Sequence, residues 1–485
     1  MSDNLGRSVT RGLAWSGLES FGGAALTLAT TMILARLVTP EDYGLIAVLQ
    51  IVLTIGMLLV ESGFSSAFIR LKEKTKRHES TVLAFNLSIS AVIYTGIFFV
   101  APLISSFYNN SSLTSISRIY ALVIPLNALC VVQHARLSAS MQFGKILTAT
   151  GSASVISSLF AIWLAFEGMG VWALVYQQIM MWGTRGLFLW LLQWRSPVIP
   201  RIYGKEFKQL FDFGWKLLFS SLINSFGSSI YSFIIGKVFT IFQAGLFSKA
   251  STLASFPAQN GTDAIQRVSY PALCKLTDDP KQFTQATLRL MRMSMWIMLP
   301  VMLCLAFLSP QCVLVILGEQ WVKTTPYFVL LCLAFSLYPI HSINLNILKV
   351  FGRSDIFLRL EIIKVSCSIA LMVAGIVLYG IEGVCISMIF FSLICVPING
   401  YKAGKYSGVN VKNQFGLLLP IVFFSLIAST GSYFIARLIQ LPLLSLLTGL
   451  ISGAAIYLLL SLFAFPNNVT YFRKSLNYLF SRKNI

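Results

Sequence analysis

Apolar residues run along this chain in blocks of roughly 20 to 25, separated by short polar breaks, the length that carries an α-helix across a bilayer. Fourteen blocks read as spans, at residues 12–36, 43–67, 80–102, 116–138, 147–166, 170–193, 214–236, 243–266, 287–309, 326–350, 361–379, 381–401, 415–437 and 441–464. The longest breaks are 67–79, 194–213 and 267–286. The pattern predicts an all-α polytopic membrane protein with about 14 transmembrane helices. The first block is full length and carries no small-residue cleavage site, so it is expected to stay as a helix. Bases interleaved with Phe and Leu over Tyr203–Leu218 predict an amphipathic interfacial helix joining two halves of the chain.

Composition sharpens this. Over 485 residues, 56% are hydrophobic and only 11% charged, and the mean hydropathy is +0.76. So few charges cannot solvate a soluble surface of this size. Disorder, collagen, coiled coil and a disulfide-stapled module are excluded too. The formal net charge of +20 does not point to nucleic acid, because basic residues in such a chain mark cytoplasmic loops. Thirty of the 37 Lys and Arg residues fall on one side of the fourteen spans and five on the other. Both termini are therefore expected in the cytoplasm. The eight cysteines show no CxxC and no metal-ligand spacing with histidine, and read as buried apolar residues.

The chain also repeats itself. The run Ala35–Leu45 (ARLVTPEDYGL) aligns with Gly236–Leu246 (GKVFTIFQAGL). In the same order, Pro102 matches Pro310, Phe143–Lys145 matches Phe351–Arg353, and Gly170–Val171 matches Gly383–Val384. Six spans separate equivalent points, so both copies keep one orientation, a parallel repeat about an axis along the membrane normal. The expected organisation is an N-lobe over 1–200, a C-lobe over 201–405, and two further helices with a basic cytoplasmic tail over 406–485.

Enzyme chemistry is scarce. Three histidines, His78, His134 and His341, form no HExxH, and Gly400–Lys405 lacks Walker A spacing. The outer connections are too short for a catalytic domain, so no enzyme, no cofactor and no metal are expected. What remains is ionisable groups at membrane depth, each costing roughly 2.5–3.5 kcal/mol at a helix centre. Glu19, Glu61 and Asp263 are the acids, candidates to carry a coupling ion. Lys249 and Arg185 are the deep bases, and Arg36 and Lys237 are repeat equivalents at outer helix ends. Structural readings stand beside these. Glu61 can pair with Arg70 and Asp263 with Arg267, Arg36 and Lys237 can snorkel to headgroups, Arg185 can anchor helices, and His341 can be a hydrogen-bonded core residue. Coupling to H⁺, to Na⁺ or to no ion is left open.

The runs Trp15–Gly22 (WSGLESFG), Ile33–Leu45 (ILARLVTPEDYGL) and Glu61–Arg70 (ESGFSSAFIR) resemble the opening of bacterial polysaccharide transporters. Gly245–Ala250 (GLFSKA), Pro257 and Val268–Lys275 (VSYPALCK) continue the likeness. The chain is similar to the Wzx-type lipid-linked oligosaccharide flippases, on the colanic-acid and teichuronic-acid exporter branch of the multidrug/oligosaccharidyl-lipid/polysaccharide exporter superfamily. The likeness covers about 7–405. It implies two six-helix lobes around a central cavity lined by spans 1, 2, 7 and 8, with the last two helices outside. It implies an undecaprenyl-diphosphate-linked oligosaccharide as substrate, moved across the bacterial cytoplasmic membrane for O-antigen, capsule or exopolysaccharide assembly. Membrane lipids and other polysaccharide-assembly membrane proteins are the implied partners. Lys249, Arg36, Lys237 and Arg185 become candidates for the diphosphate. At Lys249 the family more often has Arg, so charge is kept and the bidentate fork is lost. The competing readings are a drug or cation antiporter of the same superfamily, which calls for a more acidic cavity, and a membrane polymerase or acyltransferase, which calls for a long outer loop.

Overall fold

The computed structural model describes residues 22–23, 26–61, 63–71, 73–140, 142–194, 197–274 and 276–465. Among them there is no strand. The chain forms two compact units, Met1–Gly245 and Leu246–Ile485. The first holds α1 (Leu26–Leu37), α2 (Pro40–Glu61), α3 (Phe64–Arg70), α4 (Lys76–Tyr108), α5 (Ser112–Tyr120), α6 (Val123–Ala139), α7 (Phe143–Phe166), α8 (Val171–Leu191), α9 (Gly204–Val238) and the first turn of α10 (Ile241–Cys274). The second holds the rest of α10, α11 (Pro280–Phe307), α12 (Ser309–Ile316), a 3₁₀ turn at Glu319–Thr324, α13 (Thr325–Phe335), α14 (Tyr338–Val350), α15 (Ser354–Ser407), α16 (Val411–Arg437) and α17 (Pro442–Ala464).

Each apolar block of the sequence has helix over its described residues, with instructive departures; residues 12–21 of the first block lie outside them. The block at 116–138 is two helices, α5 and α6, parted at Ala121–Leu122. The blocks at 361–379 and 381–401 are two helices, as the sequence predicts, joined within α15 where Tyr379 leaves the helical region and Gly380 takes φ 61. That backbone costs a glycine little, which is why the break falls there. The interfacial segment from Tyr203 is not a separate helix: it is the beginning of the 35-residue α9.

Nine helical stretches among the described residues are long and apolar enough to cross a membrane by length and composition. α8 and α10 are not among them. Gln177, Gln178 and Arg185 interrupt the apolar run of α8. Lys249, Gln259, Asn260, Asp263 and Gln266 interrupt that of α10. Polar groups at this depth are tolerated where protein or a water-filled cavity receives them.

Small residues set the closest helix pairings, since lipid offers no hydrophobic drive between two apolar helices. α7 packs on α8 through Ala149, Ala153, Ser157, Ala161 and Ala165, one small residue per turn. In the second unit α17 presents Ser445, Gly449, Gly453 and Ser461. Against them lies α16, whose Ser432 hydroxyl donates to the Gly449 carbonyl at 2.6 Å, while Ser445 donates to Ala436 at 2.7 Å. Trp296 of α11 closes this core, its indole N–H donating to Ser461 at 3.0 Å. Outward-facing Phe99, Leu159, Trp163, Val377, Phe423 and Phe463 stay exposed, as a lipid-facing surface requires.

The repeat has a structural counterpart. Thr39 caps α2, its hydroxyl accepting the Asp42 N–H at 3.2 Å, and the Asp42 carboxylate bonds back to Thr39. Thr240, its aligned residue, caps α10 the same way through the Gln243 N–H at 3.1 Å. The first is a full capping box, and each N-cap threonine is worth about 1 kcal/mol. One turn later, the aligned glycines meet the other helix. A Cβ on Gly44 would stand 1.9 Å from the Ile241 carbonyl oxygen, and one on Gly245 would stand 1.9 Å from that of Pro40. Pro40 and Ile241 are themselves an aligned pair, and all four residues lie in the first unit.

Candidate functional site

In the first unit, α2, α6 and α8 pack together and bring four chemistry-bearing side chains into one neighbourhood. α2 ends at Glu61, and Gly63, at φ 68, turns the chain into α3. From α8, the Arg185 guanidinium lies close enough to act electrostatically on Glu61, and on Cys130 and His134 of α6. Arg185 sits over the Trp182 ring at 5.1 Å, and its buried Nε has no hydrogen-bond partner. Guanidinium carries five N–H donors in a rigid fork that matches phosphate and carboxylate oxygens. An arginine with an unspent buried Nε–H beside one acid has the chemistry to accept an anion's oxygens. The acid that it acts on, Glu61, lies far away in the sequence.

The second unit holds Lys249 and Asp263, both on α10. Lys249 is buried, whereas Asp263 is exposed on a polar stripe with Thr252, Gln259 and Asn260. Asp263 acts electrostatically on Tyr338 of α14, and Gln266 one turn on hydrogen-bonds Ser342 of the same helix. The Arg267 side chain lies outside the described residues, as does Glu19. His341 is hydrogen-bonded to Ser392 of α15 at 3.1 Å. Near it sits a pair that sequence reading missed. Glu361 and Lys364, one turn apart on α15, form a buried ion pair, and Lys364 acts on His341. The spacing of three inside an apolar block was the available signal; counting Lys364 as a loop base hid it. Among the described residues no group of three or more His, Cys, Asp or Glu side chains is placed to hold a metal ion.

Arg36 is exposed one turn before the Pro40 start of α2. Lys237 is exposed at the end of α9, where its ammonium donates to the Phe107 carbonyl and lies 4.3 Å from the Phe107 ring centre. Phe107 is in the last turn of α4, whose carbonyls lack helical partners and attract a cation. Lys237→Met is expected to lower stability by roughly 0.3–1 kcal/mol, seen as a small drop in melting temperature, while transport per folded molecule stays at the wild-type level. A transport defect larger than the stability loss would give Lys237 a substrate role.

Two helical units of this make are the architecture of membrane transporters. The fold matches a lipid II flippase, MurJ, in its inward closed conformation, with a TM-score of 0.75, 15% identity, and coverage of 94% of this chain and 100% of that one. The family described as polysaccharide biosynthesis protein matches residues 33–326, and the chain belongs to that family. It is 25% identical over 467 residues to the succinoglycan biosynthesis transport protein ExoT of Rhizobium meliloti (strain 1021), covering 94% of this chain and 93% of that protein. It is 23% identical over 406 residues to the lipopolysaccharide biosynthesis protein WzxC of Escherichia coli (strain K12), covering 81% of this chain and 80% of that one.

Proposed function

We propose that this protein is an alternating-access flippase, not an enzyme, that carries undecaprenyl-diphosphate-linked oligosaccharide from the cytoplasmic to the outer leaflet of the bacterial cytoplasmic membrane. Both chain ends face the cytoplasm in this reading, on the side of the thirty basic residues. The observation that carries it is Arg185, a guanidinium with an unbonded, buried Nε inside a helical unit. A diphosphate with its sugars cannot cross hydrocarbon unaided, and fixed positive charge along the route offsets its desolvation. The family, and relatives named for polysaccharide transport that align over most of the chain, support the substrate class. Arg185 receives the diphosphate beside Glu61, and Lys249 and Arg36 add positive charge. Glu61 and Asp263 are the acids that would bind a coupling H⁺ or Na⁺.

The direct test is flipping of a defined undecaprenyl-diphosphate oligosaccharide in liposomes, with and without ion gradients. Movement of the lipid-linked sugar only when the protein is present supports the reading; transport of organic cations instead would overturn it. Within that assay Lys249→Ala is expected to lower transport about tenfold or more, the scale of a lost charged contact. Lys249→Arg should keep a larger part because the charge survives. Lys323→Ala, at an exposed position of the 3₁₀ turn in the second unit, should change little. Wild-type transport by Lys249→Ala at equal abundance would make this lysine a packing residue.

A further inference from the structure

At the basic end of the first unit lies a cavity of about 650 Å³, walled by the ends of α3, α6 and α8 and the starts of α4 and α7. That is within the 300–1,000 Å³ range of small-molecule sites. Its charged lining is Lys74, Arg136 and Lys145 against one acid, Glu79. The acid is already engaged: Arg136 Nε lies 3.2 Å from the Glu79 carboxylate, both side chains largely buried, and the same guanidinium donates to Gln133 at 3.0 Å. Arg136 is therefore held rigid, and its charge is balanced. Lys74 gives one of its three N–H groups to the Leu71 carbonyl at 2.7 Å, which anchors it at the rim with two donors to spare. Lys145 stands exposed in the first turn of α7. Two ammonium groups thus remain in excess at one mouth.

The other wall is apolar. Phe68 and Leu192 line the cavity with Trp194, which is 69% exposed just past the end of α8. Leu191 beside it is also exposed. Tryptophan and lysine together at a helix end mark the headgroup level of a bilayer. A soluble anion needs only the cations. An amphiphile whose anionic group joins acyl chains within a few bonds uses the cations and the indole wall at once. Basic pockets between transmembrane helices bind anionic headgroups on this principle.

We propose that this cavity is a binding site for the phosphodiester headgroup of an anionic phospholipid, held by Lys74 and Lys145 with Trp194 against the first acyl carbons. The site is separate from Arg185 and does not depend on what the protein transports. Lipid taken up here would seat the ends of α4, α6 and α8 in the anionic leaflet.

The test uses the purified full-length protein, titrated with phosphatidylglycerol, phosphatidylcholine or sodium pyrophosphate, read by native mass spectrometry and by melting temperature. Wild type should bind phosphatidylglycerol at least fivefold tighter than phosphatidylcholine and be stabilised by it, with little response to pyrophosphate. The double variant Lys74→Ala/Lys145→Ala should lose that preference, and Lys74→Arg/Lys145→Arg should keep it, which separates lost charge from lost folding. Lys412→Ala, an exposed base of the second unit, should behave as wild type. Trp194→Ala should weaken phosphatidylglycerol binding and leave any pyrophosphate response unchanged. An unchanged phosphatidylglycerol preference in the double alanine variant overturns the site. Stabilisation by pyrophosphate equal to that by phosphatidylglycerol, lost in the double variant, assigns the cavity to a soluble anion and overturns the lipid.

Discussion

Arg185→Ala is expected to cut flipping of a diphosphate-linked sugar by about ten- to a hundredfold at equal protein abundance. A hydrogen bond to a charged group contributes about 1.5–3 kcal/mol, and each 1.4 kcal/mol is roughly tenfold. Arg185→Lys should fall between, because the charge stays and the planar fork is lost. Glu61→Gln removes the compensating charge and leaves the guanidinium uncompensated, so the two substitutions should not add. A double-mutant cycle is expected to give a coupling of about 0.5–3 kcal/mol. Glu61→Gln is also the variant to assay with and without an H⁺ or Na⁺ gradient. Loss of gradient dependence with transport retained makes Glu61 the coupling acid; loss of transport in both conditions makes it Arg185's positioning partner. Wild-type flipping by Arg185→Ala would reduce the arginine to an anchor that stacks on Trp182 of its own helix and ties α8 to α6.

Gly44→Ala and Gly245→Ala should each destabilise the protein by about 1–3 kcal/mol, the usual effect of forcing extra atoms into filled space. The added methyl group has nowhere to go, because a backbone carbonyl oxygen sits 1.9 Å from its place in both cases. Backbone cannot swing aside as a side chain can, so the α2–α10 crossing must open. Gly96→Ala and Gly144→Ala are the contrast, since no heavy atom lies within 4 Å of the new Cβ. Within the helix interior of α4, Gly96→Ala should gain about 0.5–1 kcal/mol from backbone entropy. Thermal melting in one detergent, comparing the four variants, is the measurement. Equal melting temperatures for Gly44→Ala and Gly96→Ala would show that the crossing is not tight in the protein.

The helical blocks were legible because a bilayer allows few alternatives. In lipid every backbone N–H and C=O must bond within its own segment, so an apolar run of spanning length is a helix. The repeat was legible too, through Thr39 and Thr240, which cap helices, and Gly44 and Gly245, which let two helices touch. Polarity marked α8 and α10 as unusual, and both carry candidate site residues. Legibility failed where one block hid two elements, as at Ala121–Leu122, whereas the break between the blocks at 361–379 and 381–401 falls at Gly380, as read. It also failed for the Glu361–Lys364 pair, because hydropathy averages over a buried pair of opposite charges.

Sequence alone determined that this chain is all-helical, membrane-embedded and built from repeated halves, and it supplied the basic and acidic residues worth asking about. Only the tertiary structure decided which of them meet. A span that is apolar nearly all round has no face that hydropathy can assign to a neighbour, so helix partners follow from small-residue contacts and polar bonds between segments distant in sequence. That is how Arg185 of α8 comes to Glu61 of α2, how Lys237 of α9 comes to cap α4, and how the glycines of two repeats come to share one crossing.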